Sequence, residues 1–149
     1  MSKNKFVRIG LLAAVAIIVL TGCTRTDEDD ILEIRERMFV TQINDIYMNA
    51  SEFLGKRIKL EGIFTSDTWG DPLHFVLRRS PGGCCGTDGR TGFEVKWPEG
   101  RRDPYPAENS WVEATGTLKY TVSDNRRFLY LELSSLRVLT TRREEFVTR

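Results

Sequence analysis

The chain has 149 residues, of which 40% are hydrophobic and 29% charged, and its formal net charge is +1. This length suits one domain, and the near-neutral charge gives no electrostatic reason to bind nucleic acid. The chain contains a single histidine, which limits catalytic schemes that need a histidine base, and it has no P-loop, G-x-S-x-G or H-E-x-x-H motif. We therefore predict no nucleic-acid partner and no catalytic residue.

Residues 1–22 have the layout of a helical export signal. Lys3, Lys5 and Arg8 precede an apolar run over 9–20, which is shorter than the roughly 20 residues of a permanent membrane helix. The run ends in Leu20-Thr21-Gly22-Cys23, which resembles the lipobox of bacterial lipoproteins. The resemblance implies that the mature chain begins at a lipidated Cys23 and is anchored to a membrane of the cell envelope, outside the cytoplasm.

The mature chain is predicted to consist of a tether, one domain and a tail. Removing 1–22 removes three basic and no acidic residues, which changes the net charge from +1 to −2. Residues 23–36 are predicted to be a solvated tether because they open with the polar stretch "TRTDEDD". Residues 37–141 form the predicted domain, and 142–149 a charged tail.

The domain opens with a predicted helix over 42–54. Val40, Ile43, Ile46 and Tyr47 are spaced for one helical face. Thr41 is a candidate N-cap, and Gly55 follows the last turn as a helix-ending glycine.

After this helix, the alternation of apolar and polar residues predicts strands. Their ranges are 57–67, 73–79, 91–98, 110–122 and 127–139. Gly62 and Gly116 lie inside strands, where a strongly bent strand needs room. We predict a mainly β fold, a barrel of the OB type with five antiparallel strands and one short N-terminal helix. The alternative is an open antiparallel sheet with a helix across it.

Three motifs in a fixed order suggest a family resemblance. "FLGK" at 53–56 leads to Cys84-Cys85, and then to a strand with Trp111-Val112 and Gly116. This order resembles the C-terminal, extracytoplasmic domain of the YcgQ-like membrane proteins and of small lipoproteins that carry this domain alone. The resemblance implies a permease-type membrane protein as partner and a role at an envelope transport complex.

The glycine-rich loop "SPGGCCGTDG" contains the two cysteines that remain if Cys23 is lipidated. Four interpretations stay open: a strained vicinal disulfide, a metal site, a redox dithiol, and a packed turn without chemistry. A metal site would hold Zn²⁺ or Cu⁺. Its candidate ligands are Cys84, Cys85, His74, Asp88 and Glu94, with Gly82, Gly83 and Gly86 shaping the loop.

Two further groups of residues are candidates for binding. Aromatic side chains on a barrel face can stack on sugars or bases; the candidates are Trp69, Phe75, Trp97, Tyr120, Tyr130 and Trp111, the last more typical of a core. Arg78-Arg79 and Arg101-Arg102 form either an anion-binding patch or a solvated face. The favoured function is a non-enzymatic binding or accessory module linked to metal or thiol chemistry. The alternatives are an envelope thiol–disulfide protein and a binder of oligosaccharide or peptide on the barrel face.

Overall fold

The computed structural model describes residues 30–67, 72–80, 89–144 and 147. The predicted signal peptide and Cys23 lie outside these residues. The elements, in chain order, are β1 (Ile31–Glu33), a 3-10 turn (Glu36–Met38), α1 (Phe39–Met48), α2 (Ala50–Phe53), β2 (Arg57–Asp67), β3 (Leu73–Ser80), β4 (Gly89–Lys96), β5 (Trp111–Ser123) and β6 (Arg126–Val138). Within the described part of the chain, no helix is long and apolar enough to cross a membrane.

Five of the strands close into a barrel. β2, β3, β4, β6 and β5 are neighbours in that order, and β5 pairs again with β2. The predicted mainly β, OB-like barrel is confirmed. The prediction of antiparallel strands is wrong at one place, because β4 and β6 run parallel. The chain reverses twice between them, once into β5 and once into β6, and parallel neighbours need such an intervening crossover.

A sixth strand, β1, extends the sheet beside the barrel. Ile31–Glu33 pairs in parallel with Arg57–Lys59, and the next residue, Ile34, is buried. The sequence predicts these residues to be part of the tether, because a strand of three residues is too short to show an alternation of apolar and polar side chains. The ordered domain therefore begins at least six residues before the predicted boundary at residue 37.

The helical segment closes one side of the barrel core. Phe39, Ile43 and Ile46 are buried at helical spacing in α1 and pack with the inward residues of the strands. The predicted helix is confirmed, but it begins at Phe39, so Thr41 is not its cap. The core that these residues join consists of Ile34, Ile58, Leu60, Phe64, Val76, Phe93, Val95, Val112, Ala114, Leu118, Leu131, Leu133 and Val147.

Gly62 and Gly116 occupy the positions of close backbone approach that the sequence predicted. A Cβ atom at Gly62 would lie 2.8 Å from the carbonyl oxygen of Leu77, and one at Gly116 would lie 2.7 Å from that of Glu132. Real Cβ atoms do not approach an oxygen so closely, so any side chain at either position would push neighbouring strands apart.

The predicted charged tail contacts the barrel in its described part. The Nε atom of Arg143 lies 2.9 Å from a carboxylate oxygen of Glu61. Val147 is buried, and its N–H donates to the carbonyl oxygen of Arg79 at 2.9 Å. The packed unit thus extends beyond the predicted domain end at residue 141.

Candidate functional site

A wide groove lies where the outer face of β3 and β4 meets the β5–β6 hairpin and the end of α1. Its open volume is about 810 Å³, within the roughly 300–1,000 Å³ of typical ligand clefts. Its lining combines aromatic and aliphatic side chains with a few charged ones: Tyr47, Leu54, Phe75, Leu77, Tyr120, Phe128 and Leu129, together with Asp67, Arg90, Glu94 and Arg127. This is the face on which OB barrels bind their ligands.

The groove exists because the barrel is incompletely paired at this place. β4 and β6 pair only from Glu94↔Tyr130 to Lys96↔Glu132, although β4 begins at Gly89 and β6 at Arg126. The first part of β6 pairs instead with β5 as far as the hairpin turn. That turn, Asp124-Asn125, has φ angles of 47° and 61°, as a tight two-residue hairpin requires. The hairpin therefore forms one side of the groove, and β4 forms the opposite side and, together with β3, the floor.

Tyr47 reaches from α1 to the unpaired edge of β4. Its hydroxyl donates a hydrogen bond to the carbonyl oxygen of Gly92 at 3.0 Å, and its ring stacks on Phe93 with centroids 5.4 Å apart. Desolvation, together with the nearby carboxylate of Glu94, raises the pKa of Tyr47. The phenol therefore keeps its proton and remains a donor to the strand edge at neutral pH.

The charges in the groove are unequally compensated. A carboxylate oxygen of Glu94 lies 3.0 Å from the Nζ atom of Lys96. The guanidinium of Arg127 lies over the ring of Tyr120, 5.2 Å from its centroid. Among the described residues, no carboxylate pairs with Arg90 or Arg127. The groove thus presents two guanidinium groups that are available to an anionic ligand.

Of the five predicted metal ligands, the structure describes only His74 and Glu94, and it places their side chains on different faces of the sheet. Phe75 pairs with Glu94 across β3 and β4, so both side chains face outward, and both line the groove. His74 is the neighbour of Phe75 on the strand, and its side chain therefore points to the opposite face. His74 and Glu94 are not brought together. The described residues also contain no cluster of three or more metal-ligating side chains.

His74 belongs to a partly buried aromatic stack that includes Phe64 of the core. Its ring centroid lies 3.7 Å from that of Tyr105 and 5.6 Å from that of Phe64, and its Nδ1 atom lies 3.0 Å from the hydroxyl oxygen of Ser66. Burial lowers the pKa of His74, against the opposing effects of Glu108 and Glu94. The ring is therefore neutral at pH 7, and its contacts are those of a packed aromatic residue.

The remaining predicted site residues lie outside the described part of the chain. They are Cys23, Gly82, Gly83, Cys84, Cys85, Gly86 and Asp88, together with the candidate stacking residue Trp69. The loop that contains the two cysteines connects β3 to β4, the two strands that form the groove floor. The metal, disulfide, redox and turn interpretations of that loop stay predictions.

Only some of the aromatic residues that were predicted to form a binding face line the groove. Phe75 and Tyr120 line it. The guanidinium of Arg101 instead lies 4.2 Å from the ring centroid of Trp97, and the Nζ atom of Lys96 lies 4.4 Å from the ring centroid of Tyr130. Trp111 is 4% exposed and belongs to the interior. Tyr47 and Phe128 line the groove but were not predicted to form a binding surface. Phe128 lies next to a hairpin turn and is exposed, and an exposed apolar side chain can mark a binding surface.

Neither arginine pair forms an anion-binding patch in the structure. Arg78 is 2% exposed and packs between two rings, 5.4 Å from Phe39 and 4.8 Å from Trp111. One of its nitrogen atoms lies 3.5 Å from a carboxylate oxygen of Glu36. Arg101 is paired with Asp103 at 2.6 Å. The expectation that Arg78 lies on a solvated face is wrong, because its alternation with Val76 places it inside.

The fold defines an OB-like β-barrel domain. The comparison with protein families gives a match to the DUF1980 C-terminal domain over residues 21–149. The match covers most of the chain, and the protein belongs to this family. Among the curated proteins compared with it, none matches the chain. The three sequence motifs suggested a resemblance to a C-terminal domain, and the family match is also to a C-terminal domain.

Proposed function

We propose that this protein is a non-enzymatic binding module of the bacterial cell envelope that holds its ligand in the groove between β4 and the β5–β6 hairpin. The observation that carries the proposal is the unclosed side of the barrel. Pairing of β4 with β6 stops at Glu94↔Tyr130, and the space beyond it is an aromatic-lined cavity of about 810 Å³.

The composition of the groove supports binding in preference to catalysis. Its walls offer Phe75, Tyr120 and Phe128 for contact and Arg90 and Arg127 for orientation. Ligand sites typically combine such apolar walls with a few fixed polar groups. The single histidine lies in the partly buried aromatic stack with Tyr105 and not among the residues that line the groove.

The location of the module rests on the N-terminal sequence. We propose that Cys23 is lipidated and that the domain is held at an envelope membrane outside the cytoplasm, with a permease-type membrane protein as its partner. Replacing Cys23 by Ser in the full chain should move the protein from the membrane fraction to the soluble fraction and abolish palmitate labelling. A membrane-bound Cys23→Ser protein would contradict the lipid anchor.

A thiol- or metal-linked role for Cys84 and Cys85 is a second proposal. It is favoured by the position of the pair, on the connection between the two strands of the groove floor. Thiol titration beside elemental analysis on anaerobically purified protein tests it. One metal per chain that is lost in Cys84→Ser indicates a metal site. Two thiols that appear only after reduction indicate a vicinal disulfide and the redox alternative, whereas two free thiols without metal leave only a packed turn.

The groove itself is tested by nuclear magnetic resonance on the full chain in detergent micelles. We would add a mixed heptapeptide library and, separately, a linear N-acetylglucosamine hexamer. We expect at least one of them to shift the amide signals of Gly92, Arg127 and Phe128, while those of Lys59 and Glu113, on another side of the barrel, stay unchanged. If neither addition shifts the groove signals, the proposed binding site is wrong.

A further inference from the structure

Among the residues that the structure describes, the groove has an unpaired strand edge on each of its two sides. β4 pairs with β3 from Phe75↔Glu94 to Ser80↔Gly89, so one edge of β4 is occupied between Gly89 and Glu94. Its other edge pairs with β6 only from Glu94 onward. β6 likewise pairs with β5 down to Ser123↔Arg126, and its opposite edge is unpaired before Tyr130. Both unpaired edges border the same space.

The backbone groups of β4 that face this space can be identified. Along a strand, successive N–H and C=O pairs point alternately to the two neighbouring strands. The Gly92 carbonyl oxygen accepts a hydrogen bond from the Tyr47 hydroxyl, which belongs to α1 and not to β3, so the alternation directs the backbone groups of Arg90 the same way as those of Gly92. Gly92 is buried, and its carbonyl oxygen is already occupied by this hydrogen bond of 3.0 Å. An incoming strand would share or replace that bond at Gly92, and it would meet the exposed Arg90 directly.

An exposed strand edge is a template for another strand. Peptide-binding domains use such edges to add an extended peptide, which gains affinity from main-chain hydrogen bonds and specificity from its alternate side chains. Here the walls provide both kinds of contact. The backbone of β4 offers hydrogen bonds, and Tyr47, Phe128 and Leu129 offer apolar surface.

The charge of the groove selects among peptides. Within the described residues, the guanidinium groups of Arg90 and Arg127 have no carboxylate partner, whereas Glu94 is neutralised by Lys96 at 3.0 Å. A carboxylate on an incoming strand would supply the partner that these arginines lack. An acidic peptide is thus complementary to Arg90 and Arg127, and a basic one lacks these contacts.

From these contacts we infer that the groove binds an extended acidic peptide segment, which adds as a strand to the free edge of β4. This inference rests on the proposed function, because it names the ligand class of the same groove. The backbone edge distinguishes a peptide from an acidic oligosaccharide, whose main chain has no alternating N–H and C=O groups that could form a β ladder with β4.

Fluorescence anisotropy on the full chain in detergent micelles tests the inference with three labelled hexapeptides. The first alternates Glu and Val, the second alternates Lys and Val, and the third is the Glu–Val peptide N-methylated at alternate backbone nitrogens. We expect the Glu–Val peptide to bind and each of the other two to bind at least about tenfold more weakly, because one loses the charge contacts and the other the strand pairing.

Charge variants of the groove provide a matched comparison. Arg127→Gln and Arg90→Gln should each weaken binding of the Glu–Val peptide about fivefold, an effect that added salt should diminish. Arg102→Gln, the same change at an exposed position outside the groove, should leave binding unchanged. All three changes are on the surface, so circular dichroism should show an intact fold.

Several outcomes would overturn the inference. Equal binding of the N-methylated peptide excludes strand addition, and equal binding of the Lys–Val peptide excludes charge selection. If the Glu–Val peptide does not bind but the N-acetylglucosamine hexamer shifts the groove signals, the ligand class is wrong and the binding function stands. If neither binds, both the inference and the proposed function fail.

Discussion

The two sides of the barrel differ in how completely their strands are paired. On one side, β5 pairs with β2 from Arg57↔Thr117 to Ile63↔Trp111 and with β6 along almost its whole length. On the other side, β4 and β6 share only the pairs from Glu94↔Tyr130 to Lys96↔Glu132. The closed side leaves backbone groups satisfied and side chains fixed by packing. The open side leaves strand edges and aromatic rings that can contact a ligand.

One strand, β6, belongs to both sides and shows what the difference means. Its residues Leu131 and Leu133 are buried in the core, whereas Phe128 is 45% exposed and Arg127 carries no carboxylate partner in the described part of the chain. The change occurs where pairing with β4 begins, at Tyr130. Substitutions on the closed side should therefore affect stability, and those on the open side should affect binding.

The largest effect on stability is expected from Gly116→Val on the closed side. The new side chain would meet the carbonyl oxygen of Glu132, 2.7 Å from its Cβ position, and overpacking of this kind costs about 3 kcal/mol. Urea unfolding followed by tryptophan fluorescence measures the change. Thr117→Val, one residue along the strand, is the control and should change stability by less than about 0.5 kcal/mol. Equal stability of both variants would show that the closed side can relax.

A smaller but still large effect is expected at the buried Arg78. Arg78→Ala removes the side chain that fills the space between Phe39 and Trp111, and the resulting cavity should cost about 2 kcal/mol. Arg78→Met refills most of that volume without a buried charge, so it should cost less than about 1.5 kcal/mol. If Met is as destabilising as Ala in urea unfolding, the charge near Glu36 and not the packing is what this position requires.

At the boundary between the two sides, Tyr47→Phe should have a moderate effect. It removes the hydrogen bond to the Gly92 carbonyl oxygen, which is worth about 1 kcal/mol, and should speed amide hydrogen exchange at the start of β4. Tyr120→Phe is the matched control, because Tyr120 is about as exposed as Tyr47, 44% against 47%, but its ring face and not its hydroxyl contacts Arg127. A faster exchange in the control as well would mean that Tyr47 does not specifically secure the edge.

The smallest effect is a dependence of stability on pH through His74. Burial lowers the pKa of His74 in the folded protein, so the unfolded chain, with an ordinary pKa of about 6.5, binds the proton more readily. Stability should therefore be constant above this value and fall as the pH drops below it. Because this is the only histidine, His74→Phe should reduce the difference in unfolding free energy between pH 7.5 and pH 5.5. An unchanged difference would assign the pH dependence to other groups.

The sequence predicted the closed side well because its signals are local. Alternation gave the bounds 57–67 for β2, as observed, and placed the other four barrel strands within about two residues of their observed ends. It also identified Gly62 and Gly116 as positions of close approach. Each of these signals depends on which face of a strand a residue occupies, and the sequence states that directly.

The groove was not predictable in the same way, because it depends on where pairing between distant strands stops. The composition of residues 89–96 and 126–138 does not indicate that these two strands pair only from Glu94↔Tyr130 onward. The metal hypothesis included His74 and Glu94 because each lies in one of the two strands that flank the cysteine loop, but the register pairs Glu94 with Phe75 and puts His74 on the other face. Arg78 was assigned to the surface from its charge, although its alternation with Val76 placed it inside.

The early start of β1 also limits how far the domain can move if Cys23 is lipidated. Only seven residues separate Cys23 from Ile31, and the eight steps between these two Cα atoms span about 28 Å at full extension. A domain of this size has a radius of gyration of about 14 Å, which corresponds to a sphere about 36 Å in diameter. The reach of the linking residues is therefore shorter than the domain is wide. A partner in the same membrane would then meet the groove at a high local concentration, and a weak contact would suffice to hold it.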